Sequence, residues 1–194
     1  MWTGFRLHLG GAQKYFKIDA DLACYSKAVA NGMPLSILAG KRKIINSLNK
    51  KSFFYTTFGG ETLSLAAAIN TIDYIKKNNV CKKIQINGFN LQKNLIQILD
   101  NNNIDFIKIV GYGSRCVFLI SHEKSQIIKT FIHQEMLING ILWNGIINLS
   151  YSHKISHINK ISSVFNKICK KINLIGIDKL KINIQGKIIK KLLI

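Results

Sequence analysis

An α/β segment followed by an α+β unit is the architecture this 194-residue sequence predicts. Three observations carry that expectation. The first 60 or so residues are rich in glycine and small residues, with short apolar runs between them. A helical apolar spacing then begins at Glu61 and persists for several turns. Beyond it, helix-like and strand-like stretches alternate to the end of the chain.

The elements follow in order. Gly10-Gly11-Ala12, Gly32, Gly40 and Gly59-Gly60 punctuate the first part, which reads as short strands separated by tight turns. Residues 22–25 and 35–39 are apolar runs suited to buried strands of a parallel sheet, and 41–48 reads as a short helix. Leu65, Ala68, Ile69, Ile72 and Ile75 recur on one helical face. Glu61 in its first turn and Lys76-Lys77 at its end suit the two poles of the helix, and Asn78-Asn79 closes it. A second helix is expected over 82–99, broken by Asn101-Asn102-Asn103. Strands are expected over 106–110 and 116–120, joined through Gly111-Tyr112-Gly113. Residues 125–139 read as a helix capped by Gly140, 141–149 as strand-like, and 153–172 as a surface helix. From Gly176 the pattern fits a strand or a helix equally.

Composition narrows the function classes. Hydrophobic residues at 47% place the chain among globular proteins. No apolar run approaches the roughly 20 residues that span a bilayer. Met1 to Arg6 lacks a basic region followed by an apolar block, so a cytoplasmic setting is expected. Cys24, Cys81, Cys116 and Cys169 lie far apart and share no ligand spacing with the histidines, so no metal site and reduced, mostly buried thiols are expected. The net charge of +19 invites a nucleic-acid reading, but Arg6, Arg42 and Arg115 are the only arginines and the lysines are scattered. Nucleic acid is therefore not the expected partner.

Lys27 is the candidate catalytic residue. It follows the apolar run 22–25 and precedes a turn with Gly32, Met33 and the chain's only proline, Pro34. A lysine presented this way can lose its proton by desolvation and condense with an aldehyde, which points to pyridoxal 5'-phosphate (PLP). On its residue type alone it is a solvated surface charge.

Taken together, Thr3-Gly4-Phe5-Arg6, Gly10-Gly11-Ala12-Gln13, Asp21-Leu22 leading to Lys27-Ala28, Gly32-Met33-Pro34 and Thr57-Phe58-Gly59-Gly60-Glu61-Thr62 resemble successive blocks of the class-III aminotransferases. The glutamate-1-semialdehyde aminomutase-like branch is the nearest in pattern. Gln134-Glu135-Met136-Leu137 and Leu149-Ser150-Tyr151-Ser152-His153 fit that family's C-terminal domain. The resemblance implies a fold-type-I PLP-dependent transferase of which this chain is the C-terminal portion. Residues 1–78 would end the large PLP-binding domain, with its linking helix, and 79–194 would form the small C-terminal α+β domain.

It also implies roles. Lys27 would hold the cofactor aldehyde and shuttle the substrate proton. Thr57 would bind the cofactor phosphate, in this family usually across a homodimer interface. The turn at Gly59-Gly60 and the helix starting near Glu61 would assist it; capping that helix is the structural alternative for Thr57. Gly10, Gly11 and Gly32 would serve backbone geometry, and His153 would orient a loop at the start of the last helix. The substrate would be a small amino or keto compound. Two departures matter. The family's aspartate upstream of the Thr-Gly-Phe-Arg block has no counterpart after Met1-Trp2, and Gly145 stands where aminomutases carry a glutamate. The expectation is a transaminase or aminomutase portion with weak or no activity by itself. The alternatives are a non-catalytic remnant that dimerises, or a basic nucleic-acid-binding protein.

Overall fold

The computed structural model describes residues 3–51 and 57–190. It divides into two compact units, Met1–Lys83 and Ile84–Ile194.

The first unit opens with a short helix, α1 (Gly11–Phe16), where the glycine punctuation predicts only strands and turns. Close packing explains the glycines. A Cβ on Gly11 would stand 2.8 Å from the Tyr25 ring, and Gly11 has a φ of +75°. The Tyr25 hydroxyl donates to the Gly10 carbonyl at 3.2 Å and accepts from Gln13 Nε2 at 3.1 Å. The small residues thus seat one tyrosine under α1.

Strands β1 (Leu22–Tyr25) and β2 (Ile37–Gly40) pair with each other, but antiparallel, and neither is buried. The parallel-sheet expectation is corrected by the length of the link. Parallel strands need a crossover of a dozen or more residues, usually a helix, and residues 26–36 hold only the 3-10 turn Lys27–Ala30 and a tight reversal. Helix α2 (Arg42–Lys51) follows directly.

Helix α3 (Thr62–Lys77) begins at Glu61, which is its N-cap: the carboxylate accepts from Leu63 N–H at 2.6 Å and Ser64 N–H at 2.8 Å. Its apolar stripe is only partly used. Ala68 packs on the fully buried Val29 and Ala30, with Ile72 and Ala67 beside them. Leu63 and Ile69 stay more than 60% exposed, and Tyr74 more than half. Asn79, with a φ of +51°, separates α3 from α4 (Val80–Asn101).

In the second unit, β3 (Ile107–Tyr112), β4 (Arg115–Ile120) and β5 (Ile146–Asn148) form an antiparallel sheet in that order. The strand expected over 141–149 shrinks to three residues because the chain bends first at Asn144 and Gly145, the latter with a φ of +100°. Helix α4 crosses the β3–β4 hairpin at backbone contact: a Cβ on Gly88 would lie 1.7 Å from the Gly113 carbonyl oxygen. Beside that crossing, Gln85 exchanges two hydrogen bonds with buried Ser114. Helix α5 (Ser125–Ile138) buries Ile128, Phe131, Ile132 and Met136. Helix α6 (Ile155–Ile175) is the amphipathic surface helix expected. Ile158, Ile161, Phe165, Ile168 and Ile172 bury one face, and the lysines between them occupy the other. A 3-10 stretch (Ile177–Asn183) ends the fold and buries Leu180.

Candidate active site

Lys27 sits where β1 ends and a buried turn begins. Ser26 is fully extended, and the next residue, Lys27, has a φ of +57°. A non-glycine residue in that left-handed region costs roughly 1–2 kcal/mol. Such a conformation persists where its flanks over-determine it, and such sites cluster at functional positions. Both flanks do so here. Upstream, Tyr25 pairs with Ile37 across the two strands and anchors α1 through its hydroxyl. Downstream, Val29 and Ala30 are buried against Ala68 of α3.

The loop after the lysine is clipped shut. Ser26 Oγ donates to the Leu35 carbonyl at 3.0 Å and accepts from Ser36 Oγ at 3.0 Å. Leu35 N–H reaches the Met33 carbonyl at 2.9 Å, a three-residue turn centred on Pro34, whose fixed φ suits it. The sequence reading leaves Ser26 and Ser36 out of the site. Their only signal is a hydroxyl residue at each end of the Gly-Met-Pro turn. Lys27, Ser26, Gly32, Pro34 and Ser36 rim an open hollow of about 380 Å³.

Two expectations are corrected. Lys27 is exposed rather than desolvated, because β1 is half-exposed and β2 lies open to solvent. The N-terminus of α3 is not an open anion site either, since the Glu61 carboxylate already takes two of its N–H groups. That cap holds the Glu61 carboxyl below the ordinary carboxylate range, through its hydrogen bonds to Ser64 and Leu63.

Thr57 lies exposed at the start of the turn 57–60, which the Glu61 N–H closes on the Phe58 carbonyl at 3.2 Å. It does not cap α3, a role filled by Glu61. Nor is it among the walls of the Lys27 hollow.

The remaining candidates have structural surroundings. His153 Nδ1 accepts from the Ser150 N–H at 3.0 Å and so orders the turn before α6, as expected. Arg115 begins β4. The four cysteines are free thiols. Burial pushes Cys116 up to about 11 and Cys169 up to about 12, while Cys24 lies exposed on β1. Among the described residues no helix is long and apolar enough to cross a membrane.

The chain and its fold have known counterparts. The family model for aminotransferase class-III matches residues 9–161, and the chain belongs to that family. It is 36% identical over 106 residues to the glutamate-1-semialdehyde 2,1-aminomutase of Methanococcoides burtonii, covering 54% of this chain and 25% of the relative. It is 30% identical over 151 residues to the enzyme of the same name from Methanosarcina acetivorans, covering 72% of this chain and 35% of the relative. The chain thus spans about a quarter to a third of the curated relatives it matches. A solved transaminase with PLP bound superposes with a TM-score of 0.76 at 18% identity, over 87% of this chain and 42% of that one. The fold is that of the PLP-dependent transferases.

Proposed function

We propose that this chain carries the lysine-bearing part of a class-III, PLP-dependent aminotransferase or aminomutase site, and that Lys27 is its catalytic amine. The observation that carries the reading is the left-handed Lys27 backbone, held between a paired strand and a buried turn. A primary amine on the rim of a hollow of about 380 Å³ fits an aldehyde cofactor, since small-molecule sites run from about 300 to 1,000 Å³. PLP, when bound, supplies an electron sink for amino-group transfer. Lys27 Nζ would hold the aldehyde carbon and then carry the substrate proton. Ser26 and Ser36 position it by clipping the loop. The Thr57 hydroxyl and the turn 57–60 would bind the cofactor phosphate.

The separation of Thr57 from the Lys27 hollow suits a homodimer in which each protomer completes the other's site. The exposed apolar side chains of α3, Leu63, Ile69 and Tyr74, supply surface for such an interface. Residues 1–78 belong to the large domain in this reading and 79–194 to the small one. In this reading the walls that desolvate Lys27 would be supplied by a complementing part of the enzyme. The substrate is a small amino or keto compound, and the setting is the cytoplasm, where free thiols persist.

The test is a PLP titration followed by visible absorbance, on the chain alone and co-expressed with the N-terminal part of the Methanosarcina acetivorans relative that precedes its match. The reading expects little colour from the chain alone. It expects a visible band from the pair, lost in Lys27→Ala. A pair that stays colourless would leave a dimerising remnant as the better description, which the exposure of Lys27 favours.

A further inference from the structure

Lys27 is not alone in its conformation. Phe5, in the block Thr3-Gly4-Phe5-Arg6, also has a φ of +57°. A bulky side chain rarely adopts that left-handed region, and it persists there only where its surroundings hold it. Three contacts hold Phe5, all within the first unit. Its ring lies 5.7 Å from the Tyr25 ring, tilted by 56°. Its side chain packs on the buried cluster of Val29, Ala30 and Ala68. Its carbonyl accepts from the Cys81 thiol at 3.3 Å. Burial pushes that thiol up, so it stays protonated and able to donate. Gly4 makes the approach possible, since a Cβ there would stand 3.0 Å from the Tyr25 ring.

These contacts fall on both sides of Lys27. Tyr25 lies on the strand that ends just before it, and Val29 and Ala30 lie in the turn that it opens. One side chain therefore braces the strand and the turn together, and an aromatic pair at this separation is favourable beyond the area it buries. We propose that Phe5 is a positioning residue for Lys27: it holds the left-handed backbone from which the amine leaves the main chain. Its value to the cofactor rests on the reading of Lys27 as the catalytic amine; its hold on the backbone does not.

Thermal melts of the full chain test the hold. With Phe5 in place, Lys27→Gly should melt above Lys27→Ala, because glycine relieves the left-handed strain. In a Phe5→Ala background the turn is free to relax, glycine brings only its entropy cost, and the order should reverse. Phe5→Leu keeps apolar bulk against the buried cluster but loses the ring contact, and it should narrow the gap even where Phe5→Ala fails to fold. A residue that only adds stability would lower both melts equally. An unchanged gap would therefore overturn the proposal. PLP titration of the complemented pair reads the consequence. Phe5→Leu should weaken PLP binding about tenfold, the penalty of a binding-competent turn that is populated about a tenth of the time, and Phe5→Tyr, which keeps the ring, should restore it. Unchanged affinity with Phe5→Leu, or a loss that Phe5→Tyr leaves in place, would also overturn the proposal. A colourless wild-type pair would instead sink the reading of Lys27 as the cofactor amine, and the melts would still decide the role of Phe5.

Discussion

The strained backbone at Lys27 makes a quantitative prediction that needs no cofactor. Replacing Lys27 by alanine keeps a Cβ in the left-handed region at φ +57° and so keeps the strain. Replacing it by glycine removes the strain, worth roughly 1–2 kcal/mol. Glycine also loosens the unfolded chain, at about 0.4–1 kcal/mol. The difference leaves Lys27→Gly more stable than Lys27→Ala by roughly 0.5–1 kcal/mol. Both variants lack the ammonium, so whatever that group contacts cancels from the comparison. On a unit of this size the gap appears as roughly 2–8 °C in melting temperature. Parallel thermal melts of the two variants are the assay. At an ordinary backbone position the order reverses, because glycine then brings only its entropy cost. Lys27→Gly melting below Lys27→Ala would refute the claim that the site stores strain.

Three further outcomes follow from the geometry. Gly88→Ala forces a Cβ to 1.7 Å from the Gly113 carbonyl oxygen, and neither backbone can yield cheaply. Overpacking of about 3 kcal/mol, less about 1 kcal/mol of improved helix propensity, leaves a loss of about 2 kcal/mol, readable by urea denaturation. The Glu61 cap gives α3 a pH dependence. Its carboxyl is depressed in the folded state, so its stabilisation is complete above the ordinary carboxylate value and fades as pH falls through the folded value. Circular dichroism should show α3 weakening only in that acid range, and Glu61→Gln should abolish the dependence. Thr57→Val should weaken PLP binding to the complemented pair by roughly ten- to a hundredfold, the loss of one hydrogen bond to a charged group. An unchanged affinity would remove Thr57 from the site.

Much of the helical framework was legible in the sequence. α3, α4 and α5 stand close to the bounds that periodicity and the asparagine and glycine breaks suggest, because those signals are local. The direction of β1 and β2 was not legible from apolar runs. Strand direction depends on the connection, and the turn chemistry of 26–36 decides it. Helix α1 was hidden because Gly10 and Gly11 read as turn punctuation, when they make room for the Tyr25 ring. At the candidate site, the position of Lys27 at the end of a strand was readable. Its left-handed backbone and the Ser26–Ser36 clip were not, since the first depends on strand pairing and on burial against α3 and the second on bonds between residues nine or ten apart in the chain.

Lys27, rather than any other lysine of this chain, is proposed to receive the cofactor. Borohydride reduction of the PLP-loaded, complemented protein followed by peptide mapping tests it most directly. One stoichiometric label is expected, on the peptide carrying Lys27. A label spread over many lysines, or undiminished in Lys27→Ala, would contradict it.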